Sequence, residues 1–230
     1  CLEPRMQIKI LGTLALLCFV PVAAAQAPQY REGEQYVAVE PAQPTSVPAG
    51  KIEVTEVFSY ACPACDHFYP MMDRLRQVLP ANAEVDYVAA AFNTSEDWPV
   101  FQRAYYTAKA LGIAAKTHDA MFDAVWKSGQ LQTVDPQTQR LKSPMPTIED
   151  VAEWYHRQTG ISTRQFLAAA HSFGVDMQIQ QAQNYITACA VSETPTIIVN
   201  GKYRVDGSSA GDFNKMVEVV RWLVANQAQR

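Results

Sequence analysis

Residues 52–68 read IEVTEVFSYACPACDHF, and this stretch decides the fold. Its first part, Ile52 to Tyr60, is dense in β-branched and aromatic residues and predicts a strand. The run Cys62-Pro63-Ala64-Cys65 follows, and apolar residues then recur at helical spacing from Asp66 to Leu79. Val85 to Phe92 is a continuous apolar run that predicts a buried strand. The order of strand, CxxC, helix and strand is that of a βαβ unit.

Two prolines mark the helix that follows the first cysteine. Pro63 suits the first turn, because the N–H that proline lacks would have no partner within the helix there. Pro70 lies farther along, where its ring clashes with the preceding turn, and we expect it to kink the helix.

The middle of the chain has the apolar spacing of helices. Five segments show it: Phe101 to Leu111, Ala114 to Trp126, Thr147 to Gln158, Ser162 to Ala170 and Asp176 to Ala188. Two of these segments begin on a helix-start signature. Ser162 with Gln165 is a closer match to a capping box than Thr147 with Asp150. The polar run from Thr133 to Pro146 predicts a loop.

Sheet-forming sequence returns after the helices. Thr196 to Val199 is a short apolar strand, Asn200-Gly201 is a two-residue hairpin signal, and Lys202 to Val205 pairs back. A final helix is predicted from Ala210 to Asn226. This ββα order completes the mixed sheet that the βαβ unit begins, and the fold class is therefore α/β.

The chain has 230 residues, enough for one sizeable domain or two small ones. We predict a sheet-forming domain made of residues 51–95 and 190–228. A helical domain, residues 96–189, is inserted between its two halves. Residues 26–50 are rich in Pro, Gln, Ala and Gly, which predicts a flexible N-terminal segment with one short strand at Tyr36 to Val39.

The first 25 residues predict a secretory signal peptide. Arg5 and Lys9 give a positive start, and Ile10 to Val22 is apolar but short for a membrane span. Ala23-Ala24-Ala25 supplies the small residues of a cleavage site. Residues 1–5 precede Met6 and are interpreted as an upstream extension. The alternative is a membrane anchor.

Composition predicts a globular protein that does not bind nucleic acid. Hydrophobic residues make up 48% of the chain, which is enough for a full core. The net charge of −4 comes from both signs scattered along the sequence, and there is no basic stripe of the kind that follows a phosphate backbone.

Cysteine usage agrees with export. Cys1 and Cys18 are expected to be lost with the signal peptide, which leaves Cys62, Cys65 and Cys189. Three cysteines are too few for a disulfide-stapled fold, but a close pair can persist as a disulfide in an oxidising compartment. Cys189 is interpreted as a buried inert thiol, with a third redox partner as the alternative.

A CxxC at the start of a helix has a specific chemical use. The first sulfur lies at the helix N-terminus, where N–H groups and the helix dipole favour negative charge. We therefore assign Cys62 as the attacking thiol and Cys65 as the resolving thiol, with Pro63 stiffening the turn between them. Structural zinc is the alternative, but the sequence supplies no second CxxC and no closely spaced histidine pair. No metal is expected.

Two further positions are candidates for the site. Glu56 lies six residues before Cys62 on a strand otherwise rich in apolar residues. It is either a buried carboxylate that shuttles the Cys65 proton or a residue on the exposed edge of the sheet. Pro195 stands immediately before a strand, a position that a sheet tolerates. His67 is interpreted as a surface residue of the helix.

These residues resemble the active site of a known family. The stretch Glu56 to Phe68, EVFSYACPACDHF, is similar to that of the DsbA family of periplasmic dithiol oxidases. The strand at Tyr36, the helical insertion and Thr194-Pro195-Thr196 with the hairpin that follows support the resemblance, which covers roughly residues 30–226.

The resemblance implies a thioredoxin fold with a helical insert, a cis Pro195 packed against the cysteines, and Glu56 as a buried acid near Cys65. It implies an oxidase that acts on reduced, newly exported polypeptides in the periplasm of a Gram-negative bacterium. It also implies re-oxidation by a membrane quinone-linked partner of the DsbB type. The redox centre is the cysteine pair, so no cofactor is expected, and the protein is expected to be a monomer.

One departure from the family pattern concerns the strength of the oxidant. The best-known members carry Pro-His between the cysteines, and this chain carries Pro-Ala, so no imidazole at Ala64 can stabilise the thiolate. Thr194 is also found in related isomerases. We predict an oxidase milder than a Pro-His enzyme. Two alternatives stay open: a disulfide reductase or isomerase, and a peptide-binding chaperone with a vestigial redox site.

Overall fold

The structure of the protein, a computed structural model, describes residues 29–227. Within them, five strands form one sheet: β1 (Val37–Ala38), β2 (Ile52–Phe58), β3 (Ala83–Ala89), β4 (Thr196–Val199) and β5 (Tyr203–Asp206). Their order across the sheet is β1-β5-β4-β2-β3. β2 and β3 are parallel, whereas the other neighbours are antiparallel, which confirms the predicted mixed sheet.

The helices of the described residues fall into three groups. α1 (Pro63–Val78) joins β2 to β3. Five helices then lie between β3 and β4: α2 (Trp98–Ala110), α3 (Ala114–Trp126), α4 (Ile148–Thr159), α5 (Thr163–Ala170) and α6 (Phe173–Ala188). α7 (Gly207–Ala210) and α8 (Phe213–Gln227) follow β5. The predicted insertion of helices between the βαβ and ββα halves is thus confirmed.

α1 begins at Pro63, which confirms the predicted place of Pro63 in the first turn, and Cys65 lies inside the helix. Other predicted boundaries were wrong. β3 ends at Ala89, short of the predicted Phe92, because its partner β2 ends at Phe58. The final helix begins at Phe213, because Asp206 caps the separate short helix α7 and Gly211, at a φ of 100°, ends it.

The expectation for the two helix caps also changed. Thr147 and Asp150 form a full capping box, in which each side chain accepts from the other residue's N–H. Ser162 accepts from the N–H of Gln165 without the reciprocal bond, so the better sequence match gives the less complete cap. Pro70, where we expect a kink, lies inside α1 and removes one backbone donor from it.

The β4–β5 hairpin turns at Asn200-Gly201, where φ is 54° and 63°. Positive φ at both central residues is the requirement of the predicted tight turn. A Cβ at Gly201 would lie 2.1 Å from the carbonyl oxygen of Gln43, so glycine also allows the N-terminal segment to cross the turn. The N–H of Gln43 donates to the Gly201 carbonyl over 2.8 Å, which fixes that crossing.

The core is arranged on both faces of the sheet. On one face, α1 and α8 pack Phe68, Leu75 and Val220 against strand residues such as Val54 and Ile197. On the other face, Val57 and Ile198 pack with Ile186 and Cys189. A third cluster joins the end of β2 and both cysteines of the CxxC to the inserted helices α2–α6. The active-site loop is therefore part of the same core as the insert.

Among residues 29–227 there is no helix with the length and apolar character of a bilayer span. The predicted signal peptide, residues 1–25, lies outside the residues that the structure describes.

Candidate active site

Cys62 occupies the residue immediately before α1, in an extended conformation, and Pro63 takes the first helical position. The carbonyl of Cys62 accepts the first bonds of the helix, from the N–H groups of Cys65 and Asp66. The Cys62 side chain is buried except for a small exposed fraction, and Cys65 is fully buried beneath it. Both cysteines are thiols in the structure.

The first turn of α1 lowers the pKa of Cys62 to about 6. The largest cause is a hydrogen bond from the Cys65 thiol. Burial opposes it, but the N–H groups of Cys65 and Ala64 lower the pKa further. A thiol with this pKa is mostly thiolate at neutral pH, and the thiolate is the nucleophile of disulfide exchange.

Cys65 is held in the opposite state. Burial raises its pKa well above the ordinary range for a thiol, and the neighbouring Cys62 and Glu56 add to the shift. The pair therefore consists of one thiolate with a small exposed surface and one buried thiol that keeps its proton. This asymmetry agrees with the predicted roles of attacking and resolving cysteine.

Glu56 lies in the middle of β2, between Tyr87 of β3 and Ile197 of β4. It is 1% exposed, and neither carboxyl oxygen has a hydrogen-bond partner among the described residues. Of the two interpretations of this residue, the structure matches the buried one. Burial is the largest cause that raises the pKa of Glu56 to about 8, so the group is protonated at neutral pH.

The loop before β4 forms the other side of the site. The Thr194–Pro195 peptide bond is cis, as the resemblance implied. The Cys62 thiol lies 3.4 Å from the carbonyl oxygen of Thr194, so this loop touches the attacking sulfur directly. The Thr196 hydroxyl donates to the Glu193 carbonyl over 2.8 Å and ties the loop to the start of β4.

Sequence reasoning missed the contacts that fix the loop before Cys62. Trp126, at the end of α3, donates its indole N–H to the carbonyl of Tyr60 over 2.8 Å. The Tyr60 hydroxyl pairs with Nδ1 of His118 over 2.9 Å, and both side chains are buried. Burial lowers the pKa of His118 to about 3, so the imidazole is neutral. The only sign of these contacts in the sequence is Tyr60 itself, an aromatic residue two positions before Cys62.

The other residues considered from the sequence, His67 and Cys189, are not part of this site. His67 is exposed on α1, as predicted. Cys189 is buried at the end of α6 in a separate core cluster, and burial raises its pKa to about 11, which matches the inert-thiol interpretation. Within residues 29–227, no group of three or more His, Cys, Asp or Glu side chains is placed to hold a metal ion.

Comparison with known proteins gives a consistent result. The family model described as Thioredoxin matches residues 47–219. Thiol:disulfide interchange protein DsbA of Pseudomonas aeruginosa is 31% identical over 204 residues, 89% of this chain and 89% of its own length. The protein of the same name from Azotobacter vinelandii is 34% identical over 195 residues, 85% of this chain and 83% of its own length.

A solved structure matches the whole architecture. The crystal structure of oxidoreductase DsbA from Xylella fastidiosa has a TM-score of 0.76 and 30% identity, and the match covers 87% of this chain and 99% of that one. Fold, cysteine pair and comparisons together define a thioredoxin-fold thiol–disulfide oxidoreductase. The chain belongs to the DsbA family.

The buried Glu56 gives a testable dependence of stability on pH. Its pKa is higher in the folded state than in the unfolded chain, so its contribution is fully present below the unfolded pKa, near 4.5, and is lost as the pH rises through about 8. We expect Glu56→Gln to be more stable than the parent at pH 9 by a few kcal/mol, with a much smaller difference at pH 5.

Urea unfolding of the reduced protein at both pH values measures this effect. Glu84→Gln, at an exposed position of β3, controls for the loss of one carboxylate. A stability difference between parent and Glu56→Gln that stays the same at pH 5 and pH 9 would contradict the assignment.

Proposed function

We propose that the protein oxidises reduced polypeptides by transferring its Cys62–Cys65 disulfide to them. The observation that carries the proposal is the opposed proton affinity of the two thiols, low at Cys62 and high at Cys65. A stable Cys62 thiolate stabilises the reduced protein and so makes its disulfide a stronger oxidant. At pH 7, a pKa near 6 instead of 9 favours the reduced form by about 1.4 kcal/mol, or ~30 mV.

The reaction has two exchange steps. A substrate thiolate attacks Cys62 Sγ, the Cys62–Cys65 bond breaks, and Cys65 leaves as a thiolate that takes a proton from the Glu56 carboxyl. A second substrate thiolate then attacks the substrate sulfur of the mixed disulfide and releases the Cys62 thiolate. The substrate gains a disulfide and loses two electrons, which the cysteine pair receives.

The cis-proline loop positions the mixed disulfide. The Thr194 carbonyl lies beside the Cys62 sulfur, so an extended substrate chain attached to that sulfur would run next to the Thr194–Pro195 backbone. Pro63 and Ala64 complete the surface around the sulfur, where Pro63 is exposed and Ala64 partly buried. Cys62, Cys65 and Glu56 would then perform the chemistry, while Pro63, Ala64, Thr194 and Pro195 hold its geometry.

Family membership supports the cellular setting that we propose. The substrates are newly exported chains in the periplasm of a Gram-negative bacterium, and the N-terminal sequence has the pattern of the signal peptide that export requires. The reduced pair is returned to the disulfide by a membrane quinone-linked partner of the DsbB type. The protein works as a monomer with the disulfide as its only redox group.

One prediction of the proposed function concerns the substrates. In Cys65→Ala the Cys62 thiolate can attack a disulfide of an exported polypeptide, which forms a mixed disulfide and releases one polypeptide thiolate. No Cys65 thiol is present to displace the polypeptide, so we expect exported polypeptides to accumulate as covalent adducts when the mature chain is expressed in the periplasm. The measurement is non-reducing electrophoresis followed by identification of the adducts.

Cys62→Ala is the matched control and should trap no protein. Cys189→Ala, combined with Cys65→Ala, should leave the set of adducts unchanged. Absence of adducts in Cys65→Ala would favour the chaperone alternative instead. Faster repair of scrambled ribonuclease than oxidation of reduced ribonuclease would favour an isomerase.

Another prediction concerns Ala64, one of the two residues between the cysteines. Replacement Ala64→His places an imidazole beside the Cys62 sulfur, where a positive charge stabilises the thiolate, so we expect a more oxidising disulfide than that of the parent. Equilibration with glutathione buffers measures the difference.

Ala64→Asn adds similar bulk without the charge and should stay close to the parent. If the parent is already as oxidising as Ala64→His, the idea of a milder oxidase is wrong.

A further inference from the structure

The proposed proton transfer leaves a negative charge on Glu56, which is buried. When Glu56 gives its proton to Cys65, it becomes a carboxylate that is 1% exposed and has no hydrogen-bond partner among the described residues. An isolated buried carboxylate is strongly unfavourable. For the proton to be exchangeable near neutral pH, something must stabilise that charge.

A guanidinium reaches this region from α1. Met72 and Arg76 follow Cys65 by seven and eleven residues, so the three side chains lie on one stripe of the helix surface. Cys65 and Met72 are buried against the sheet, and Arg76 is the member of this stripe at the far end of the helix, with a side chain 38% exposed.

Tyr87 connects Arg76 to Glu56. The Arg76 guanidinium lies over the Tyr87 ring, 5.1 Å from its centroid, and donates to the Tyr87 hydroxyl. Tyr87 is directly opposite Glu56 in the parallel β2–β3 pair, so the two side chains project from the same face of the sheet. The Arg76 guanidinium is therefore held on the residue that neighbours Glu56 in the sheet.

Titratable and charged groups face this region from each element packed on it. Cys62 precedes α1, and Cys65, Asp73 and Arg76 lie on it. The other groups are Asp86 and Tyr87 of β3, Tyr105 and Lys109 of α2, and His118 and Asp119 of α3, whereas β4 offers the apolar Ile197. Burial keeps His118 and Tyr87 neutral. Two of these groups are cations, Arg76 and Lys109, and Lys109 is paired with Asp86 over 2.9 Å. Arg76 is the one that contacts Tyr87, the neighbour of Glu56 in the sheet.

We propose that Arg76 is a positioning residue of the exchange reaction, whose guanidinium is the counter-charge that lets Glu56 release and regain its proton near neutral pH. The proposal rests on the proposed role of Glu56 as the proton partner of Cys65. It does not require Arg76 to touch the substrate or either sulfur.

The ion pair between Arg76 and Asp73, 2.9 Å long, provides a sharp test. Both Arg76→Met and Asp73→Asn break this ion pair, so a purely structural role would give the two variants the same kind of effect. The charges that they remove have opposite signs. A counter-charge role therefore predicts opposite shifts in the proton affinity of Glu56: upward for Arg76→Met and downward for Asp73→Asn.

The measurement is a pH titration of the Glu56 carboxyl by its ¹³C chemical shift in glutamate-labelled protein, with the signal assigned by its loss in Glu56→Gln. The oxidised form is used, because the disulfide removes the charge of the Cys62 thiolate. We expect the midpoint to rise by about one pH unit in Arg76→Met. We expect it to fall in Asp73→Asn and to be largely retained in Arg76→Lys. The matched control is Arg74→Met, at an exposed position of the same helix, which should leave it unchanged.

Shifts of the same sign in Arg76→Met and Asp73→Asn, or no shift in Arg76→Met, would overturn the proposal. A second readout separates this failure from that of Glu56 itself: the pH profile of glutathione release from a Cys62–glutathione mixed disulfide. If Glu56→Gln leaves that profile unchanged, the proposed proton role of Glu56 is wrong. If Glu56→Gln alters the profile and Arg76→Met does not move it, only the role of Arg76 is wrong.

Discussion

The proposed chemistry depends on several hydrogen-bond donors that surround one sulfur atom, that of Cys62. Cys62 stands at the beginning of α1, and the Cys65 thiol with the N–H groups of the first turn lowers its pKa to about 6. Two neighbouring elements fix the position of Cys62. One is β2, which leads into α1, and the other is the Thr194–Pro195 loop, in which the Thr194 carbonyl oxygen lies 3.4 Å from the sulfur. The sheet order brings both together, because β4 pairs directly with β2.

The inserted helices contribute to the same site from the other side. Trp126 holds the carbonyl of Tyr60, and His118 holds its hydroxyl, so the turn between β2 and α1 is bonded to α3 at two places. Since the cysteines belong to the core cluster of the insert, movement of these helices would change the burial of Cys65. The insert is therefore a structural support of the redox pair as well as a separate part of the fold.

Local sequence patterns predicted the elements well, because each depends on neighbouring residues. The β-branched run of β2, the CxxC at a helix start and the Asn200-Gly201 turn all carry their structural reason within a few positions. The contacts of Tyr60 with His118 and of Arg76 with Tyr87 could not be predicted in the same way. They join residues on different elements, and their existence follows from how helices pack on the sheet, which no periodicity encodes. The same limit applies to Glu56, whose strand was predicted but whose central place in the sheet was not.

The central claim is that Cys62 is a thiolate at neutral pH while Cys65 keeps its proton. Ultraviolet thiolate absorbance of the reduced protein, followed from acid to alkaline pH, tests it most directly. Our account predicts one thiolate that forms with a midpoint near pH 6, absent from Cys62→Ala and raised in Cys65→Ala, which loses the largest single donor. A Cys62 midpoint in the ordinary thiol range, about 8.5, would contradict it.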